Sequence, residues 1–323
     1  AYGRPRVQTK FIFMTDNKMR TEILTIDKGQ CLTDVLPAIP ANTIFDKTIT
    51  GCGATHSEIV NAARHSIIIE PNIPVILGKK AEHPFLFAVY EGITKEDVKA
   101  YLAGEHDGYR KIITTPEGFD KKVLPAMHEL EIPVYKDYFL LFDECEKAIQ
   151  DVGYRGDIYL PVEDFFKFEN KAMVSATPIV PSDPRFEENG FKILKLVPTY
   201  DSRIELTLCT TNNTVAVMRK LLKRLENETV CVFLNSTETI LSLIYALGLQ
   251  GRSRVFCSEK SVRKLKQMNF TDASETLDEL APVNFLTSRF YAAVDIKLDY
   301  KPHVILLTDV MRAPFSAVDP QTE

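Results

Sequence analysis

Two short stretches of this sequence have the residue types and spacing that phosphate chemistry needs. The first is TGCGAT at residues 50–55, where glycines separate a strand-like run from a helix-like run. Glycines there allow a tight turn that presents backbone N–H groups, and a helix starting near Thr55 directs the positive end of its dipole at an anion. An ordinary tight turn is the alternative. The residues expected at a bound phosphate are Gly51, Cys52, Gly53, Ala54, Thr55 and His56.

The second stretch is YFLLFDE at residues 138–144, in which an apolar run ends in two adjacent carboxylates. At the end of a buried strand the two have distinct uses, because Asp143 can hold Mg²⁺ while Glu144 orients or deprotonates an attacking water. An acidic helix start, favoured by the helix dipole, is the alternative. The glycine loop upstream favours the first interpretation.

Both stretches lie where strand-like and helix-like runs alternate along the chain. Strand-like runs cover residues 65–70 and 110–114, and helix-like runs cover residues 95–103 and 119–131. This alternation predicts a parallel sheet with helices on both faces, and the ligands of such sheets lie outside the carboxyl ends of the strands. We therefore expect the glycine loop and the acidic pair to face each other across one cleft.

The alternation also predicts how the chain is divided. It stops at the proline-rich, charged segment PSDPRFEEN and resumes with a helix-like run from residue 214, so we expect a domain boundary near residues 201–213. Residues 8–26 alternate apolar and polar around a turn-forming TDNK segment, which predicts a β-hairpin.

Length and composition restrict the class of protein. A chain of 323 residues with 45% apolar residues suits two domains that each bury a core, and 26% charged residues with no long apolar run exclude a disordered or membrane protein. The six cysteines are spread singly, which predicts reduced thiols and a cytoplasmic location, and the start has no signal-peptide pattern. A net charge of −5 argues against coating nucleic acid by bulk charge but leaves a local basic groove open.

Five motifs in order resemble the first motor domain of superfamily-two (DEAD/DEAH-like) helicases. Residues 50–55 are similar to the family's Thr-Gly-x-Gly-Lys-Thr loop, and a Pro71 turn, Thr115-Pro116, Asp143-Glu144 and SAT at residues 175–177 follow at similar spacing. Further on, TSRFYAAVDI at residues 287–296 resembles the family's fifth motif. The resemblance covers nearly the whole chain from about residue 30.

The resemblance implies an α/β fold with two RecA-like domains, each a mainly parallel sheet flanked by helices. It implies a β-hairpin extension at residues 1–29 packed on domain one, a nucleotide-binding first domain at 30–200 and a truncated second domain at 201–323. The family's function would be nucleic-acid-dependent NTP hydrolysis, coupling ATP and Mg²⁺ to movement on or remodelling of DNA or RNA.

Residue roles follow from the same resemblance. Thr55 and Asp143 would hold the metal, and Asp143 and Glu144 would be catalytic. The residues expected to contact nucleic acid are Pro71, Thr115, Pro116, Thr287 and Ser288. Ser175, Thr177 and Asp295 would couple the nucleotide state to strand separation and couple the two domains.

The sequence departs from the family in two places. The loop lysine that would reach the β- and γ-phosphates is replaced by Ala54, and the sequence ends about where the family's last motif, with its arginines, would begin. We therefore expect weak hydrolysis by this chain. Lys47, or Lys79 or Lys80, is a possible substitute for the missing ammonium, and a non-hydrolysing scaffold that binds nucleic acid or a protein partner is the alternative function.

Overall fold

The computed structural model describes residues 19–146, 161–177, 183–203, 205–277, 279–291, 298–309, 311 and 316–317. The chain divides into two compact units, Ala1–Arg203 and Ile204–Glu323. Each unit contains one sheet in which every described strand pairing is parallel. The predicted α/β fold with parallel sheets and flanking helices is confirmed. The assignment of residues 30–200 and 201–323 to a first and a second motor domain stays a prediction.

The first unit is built on an eight-stranded sheet with strand order β1-β8-β2-β7-β6-β3-β5-β4. Its strands are β1 (Thr21–Ile26), β2 (Thr43–Asp46), β3 (His65–Ile69), β4 (Phe87–Val89), β5 (Lys111–Thr114), β6 (Tyr138–Phe142), β7 (Asn170–Ser175) and β8 (Lys192–Pro198).

Helices connect these strands. They are α1 (Leu32–Val35), α2 (Ala54–Ile59), α3 (Ile73–Glu82), α4 (Lys95–Ala103), α5 (Pro116–Gly118), α6 (Leu124–Glu129), α7 (Val134–Asp137), α8 (Pro161–Phe165) and α9 (Pro184–Glu188). A π-helical turn, Phe119–Val123, joins α5 to α6.

The central strands are apolar because both faces of the sheet are covered. Successive side chains of a strand point to opposite faces. In β3, Ile67 and Ile69 accordingly belong to the apolar cluster that contains Val98 of α4, whereas Ile68 belongs to the cluster that contains Ile76 of α3. The sheet therefore holds two apolar layers, and its polar residues are left to the strand ends.

The strand β1 is an edge strand of this sheet. The sequence predicts that residues 8–26 form a hairpin packed on the first domain. In the structure, Thr21–Ile26 pairs along one edge, in parallel, with β8. Residues 1–18, for which the sequence predicts the other strand of that hairpin, lie outside the described residues. A hairpin partner for β1 stays a prediction.

A buried ionic cluster lies beneath α2. Glu58 is fully buried and accepts a hydrogen bond from Arg64 Nε at 3.0 Å and one from Ser66 Oγ. Lys111 Nζ donates to Ser66 Oγ at 2.9 Å and lies 3.5 Å from Glu58 Oε1. Burial lowers the pKa of Lys111 to about 8, although Glu58 acts in the opposite direction. The cluster ties α2 to β3 and β5, and its charges compensate one another.

The second unit repeats the arrangement with five strands in the order β11-β10-β12-β9-β13. Its strands are β9 (Val230–Phe233), β10 (Ser253–Phe256), β11 (Ala273–Ser274), β12 (Val283–Leu286) and β13 (His303–Leu306), and its helices are α10 (Thr214–Arg224), α11 (Thr237–Leu247) and α12 (Glu259–Gln267). A 3₁₀ turn, Ser288–Phe290, follows β12.

Two predictions from composition can be compared directly with the structure. All six cysteines are free, as their spacing predicts. No helix in the described part of the chain is long and apolar enough to cross a membrane.

Candidate functional site

The glycine loop connects β2 to α2. Gly51 and Gly53 have φ values of 70° and 86°, in the left-handed region that side chains other than glycine rarely adopt. Gly53 caps α2, which begins at Ala54. The side chains of Cys52 and Ala54 are buried in the apolar cluster on that face of the sheet. The loop therefore turns as the sequence predicts, but two of its side chains serve the core.

Gly53→Ala is expected to destabilise the protein by about 1 kcal/mol, because alanine is strained in the left-handed region. Gly78→Ala is the matched control: Gly78 lies inside α3 and has no heavy atom within 4 Å of an added Cβ. That control is expected to stabilise by about 0.5–1 kcal/mol. Urea unfolding measures the change in the free energy of unfolding for each variant. If both alanine variants are stabilised, or both destabilised, Gly53 is not under the backbone strain described.

The loop and the acidic pair meet at the carboxyl edge of the first sheet. Thr55 Oγ1 donates a hydrogen bond to Asp143 Oδ2. Asp143 and Glu144 follow β6 directly and are 1% and 7% exposed. The backbone N–H of Glu144 donates to Asp143 Oδ1 at 2.9 Å, which orients that carboxylate. The two stretches singled out in the sequence therefore face each other, as expected.

Lys47 also lies at the carboxyl edge of the first sheet, beside the acidic pair. It follows β2 directly, is 8% exposed, and its Nζ lies 2.7 Å from Glu144 Oε1 and 3.4 Å from Asp143 Oδ1. Burial alone would lower the pKa of Lys47, but the carboxylates of Asp143 and Glu144 outweigh it and raise the pKa. Lys47 is therefore charged at this edge.

Two further carboxyl groups belong to the same edge. The sequence predicts this position for Glu70, but sequence reasoning gave neither group a role. Glu70 follows β3 and Glu146 follows the acidic pair, and each has one buried oxygen, Oε2, without a hydrogen-bond partner. Burial, reinforced by the charges of Asp143 and Glu144, raises the pKa of Glu70 well above its usual range. Burial also raises the pKa of Glu146 to about 8. The position of Glu70 at a strand end was the available signal.

The residues at this edge fit a magnesium ion that is shared with a phosphate. Thr55 and Asp143 offer a hydroxyl and a carboxylate in direct contact, and oxygen donors of this kind suit Mg²⁺. Within the described ranges, no group of three or more His, Cys, Asp or Glu side chains could hold a metal ion alone. In kinase and ATPase sites, Mg²⁺ typically uses one or two carboxylates and takes its other ligands from phosphates and water.

The expected coupling residues of the first unit lie beside this edge. Ser175 ends β7, is fully buried, and its Oγ accepts a hydrogen bond from the backbone N–H of Thr177 at 2.9 Å. The carbonyl of Ser175 accepts from the backbone N–H of Lys47 at 2.9 Å. The structure therefore links residues 175–177 to the candidate site, and their role in coupling stays a prediction. Asp295 lies outside the described residues.

Other predicted site residues have structural partners. Pro71, Thr115 and Pro116 are buried, and Thr115 Oγ1 caps α5 by accepting from the backbone N–H of Gly118 at 3.0 Å. Their contact with nucleic acid stays a prediction. His56 Nδ1 lies 3.2 Å from His83 Nε2, so its ring is paired with another histidine.

The second unit has a cavity of about 370 Å³ at the carboxyl ends of its strands. Thr287 and Ser288, both predicted from sequence, line it together with Arg289, whose buried Nε has no hydrogen-bond partner. Ser236 and Ser258, the N-caps of α11 and α12, line it as well. Two helix N-termini and a guanidinium make this cavity suited to anions. Sequence reasoning missed Arg289 because nothing in the sequence shows that the two helix starts meet beside it.

Solved structures share this arrangement of two parallel sheets. The structure of Mss116p bound to ssRNA and AMP-PNP aligns with a TM-score of 0.51 and 12% sequence identity, over 82% of this chain and 60% of that chain. The chain has a helicase-like α/β fold of parallel sheets flanked by helices. At this identity the likeness concerns the fold alone, and this helicase-like chain spans less than two thirds of the Mss116p chain.

A further solved structure is similar at a lower TM-score. The structure of S. cerevisiae Dbp5 bound to RNA and ADP BeF3 aligns with a TM-score of 0.48 and 13% identity, over 77% of this chain and 66% of that chain. No protein-family model matches the sequence, and no curated protein matches it.

Proposed function

We propose that this chain is a helicase-like, nucleic-acid-dependent NTPase that couples ATP binding and hydrolysis to movement on or remodelling of DNA or RNA. The observation that carries the proposal is the hydrogen bond between Thr55 and Asp143, which joins the glycine loop to the acidic pair. In a helicase fold these two elements are the parts that phosphoryl transfer needs, since catalysis there rests on positioning and charge stabilisation.

Residues of the first unit bind the phosphates, bind the metal ion and activate the attacking water. Gly51, Gly53 and Thr55 cradle the phosphates. Thr55 and Asp143 would hold Mg²⁺, which would neutralise negative charge on the phosphates. Glu144 orients the attacking water and accepts its proton.

The second unit supplies the proposed nucleic-acid contact. Thr287, Ser288 and Arg289 line a cavity that two helix N-termini share, which suits the phosphates of a nucleic-acid backbone. Phosphate contacts position a strand without reading its sequence, so we expect binding at this site to be independent of base sequence.

The test is ATP turnover by this chain with and without single-stranded RNA or DNA, and strand binding by Arg289→Ala. We expect stimulation by at least one polymer, and binding weakened about 10- to 100-fold by the loss of a charged hydrogen bond. Arg219→Ala is the control, because its Nη2 donates to the carbonyl of Ala246 and it does not line the cavity. If Arg289→Ala and Arg219→Ala lose strand affinity to the same extent, the cavity is not the nucleic-acid site.

A non-hydrolysing scaffold is the second candidate, and Ala54 favours it. The side chain at this position packs in the core, so the loop itself offers no ammonium to the phosphates. Strand or protein binding without any ATP turnover would support the scaffold.

A further inference from the structure

The phosphates of a bound triphosphate need a nearby cation, and the loop does not contain one. Three lysines near the loop are candidates in the sequence. Lys80 Nζ donates to the carbonyls of Pro84 and Leu86, both at 2.6 Å, and so holds the turn after α3. Lys79 Nζ lies 3.6 Å from Glu82 within the same helix. These three contacts lie within α3 and the turn that follows it.

Lys47 differs because its ammonium already contacts the acidic pair at the carboxyl edge of the first sheet. Its Nζ contacts Glu144 and Asp143, and Asp143 is also the partner of the loop hydroxyl of Thr55. The ammonium and the loop therefore meet on one carboxylate. A lysine has three donors on a flexible four-carbon stem, so a short swing carries its Nζ from that carboxylate to a phosphate bound by the loop.

The backbone around Lys47 is held in a costly conformation. Thr48 has a φ of 48°, which is an outlier for a β-branched residue. Two hydrogen bonds hold it there, from its Oγ1 to the carbonyl of Leu196 and from its N–H to Asp46 Oδ1 at 3.1 Å. Glu144, the partner of Lys47, also has a φ of 48°. Outliers of this kind persist where the surroundings enforce them and cluster at functional sites.

The carboxyl groups around Lys47 also indicate a role for it in the candidate site. Glu70, Asp143 and Glu144 all act on this one ammonium. This lysine is placed among the groups that would handle metal and water. The positive charge of Lys47 also reduces the repulsion between the carboxylates of Asp143 and Glu144. A bound Mg²⁺ would reduce the same repulsion.

We propose that Lys47 supplies, from the end of the strand before the loop, the ammonium that binds the β- and γ-phosphates, and that it leaves Glu144 to do so. Lys47 is thus the phosphate-binding lysine that position 54 lacks. The inference rests on the proposed function, because it needs a triphosphate in the loop.

The test compares the binding of fluorescent ATP and AMP analogues, with Mg²⁺, to the intact chain, Lys47→Met and Lys80→Met. We expect Lys47→Met to weaken ATP binding about 10- to 100-fold, the effect of one charged hydrogen bond, and to leave AMP binding unchanged. Lys80→Met should bind both like the intact chain. Lys47→Arg should recover part of the ATP affinity because it retains the charge.

Several outcomes would overturn the inference. It is wrong if Lys47→Met binds ATP like the intact chain, or if it loses ATP and AMP equally while its thermal unfolding is unchanged. Absence of ATP binding by the intact chain would instead overturn the proposed function, and this inference with it.

A second measurement needs no variant and decides the matter if Lys47→Met does not fold. An acyl-phosphate derivative of ATP carries its acyl group on the γ-phosphate. A nearby lysine that has lost a proton to solvent attacks the acyl carbon as a neutral amine, loses a second proton to solvent as the amide forms, and releases ATP as the acyl–oxygen bond breaks. We expect the intact chain to be acylated at Lys47, and excess ATP to prevent it. Acylation at Lys79 or Lys80 in its place would overturn the inference.

Discussion

Glu144→Gln is expected to lower ATP turnover by at least about 100-fold, because general base catalysis of this kind contributes about 10²–10⁴ in rate. Glutamine keeps the shape of the side chain but cannot accept the proton of the attacking water. ATP binding should survive, since the substitution frees Lys47 from its closest carboxylate. Turnover is measured by phosphate release and ATP affinity by the fluorescent analogue.

Glu146→Gln is the matched control for that variant. The pKa of Glu146 is raised to about 8, so at pH 7 the group is mainly a neutral carboxylic acid, and glutamine resembles it in charge and shape. Turnover should therefore change little. If both variants lose activity to the same extent, Glu144 has no special role and the assignment of the general base is wrong.

Glu58→Gln is expected to destabilise the first unit by about 3–5 kcal/mol, because removing one partner of a buried ion pair leaves the other charges uncompensated. Arg64 and Lys111 both lie against Glu58, whose side chain is fully buried. Chemical denaturation followed by circular dichroism measures the loss.

Glu129→Gln is the control for the buried cluster. Glu129 also lies between two cations, Lys95 and Lys99, but on the surface. Water and salt screen exposed ion pairs, so Glu129→Gln should lose much less stability than Glu58→Gln. Similar losses at positions 58 and 129 would contradict the view that burial makes the difference.

The sequence predicts the parts of this fold that depend on local pattern. The apolar run before Asp143 and the β-branched run at residues 65–69 appear as central strands because both faces of the sheet are covered. The glycine turn followed from the positive φ that only glycine adopts easily. The meeting of Thr55 with Asp143 followed from the rule that parallel strands end at one edge.

Other parts of the site depend on contacts between distant segments. Lys47 was one of three equivalent lysines in the sequence, and only the position of its Nζ against Glu144 separates it from Lys79 and Lys80. Arg289 gains its setting from two helices that start far apart in the chain. Thr115 matched a nucleic-acid motif, but its hydroxyl caps a helix. A motif gives the residue type, whereas its partners depend on packing.

The place of β2 between β7 and β8 governs when the glycine loop can form during synthesis of the chain. Residues 43–46 pair with residues 172–175 on one side and 192–195 on the other. A ribosome must therefore make most of the first unit before the strand that carries the loop finds either neighbour, and pairing over such long separations is slow. A nascent chain that stops before residue 170 holds every residue of the glycine loop and the acidic pair, yet it has no sheet in which β2 can place them side by side.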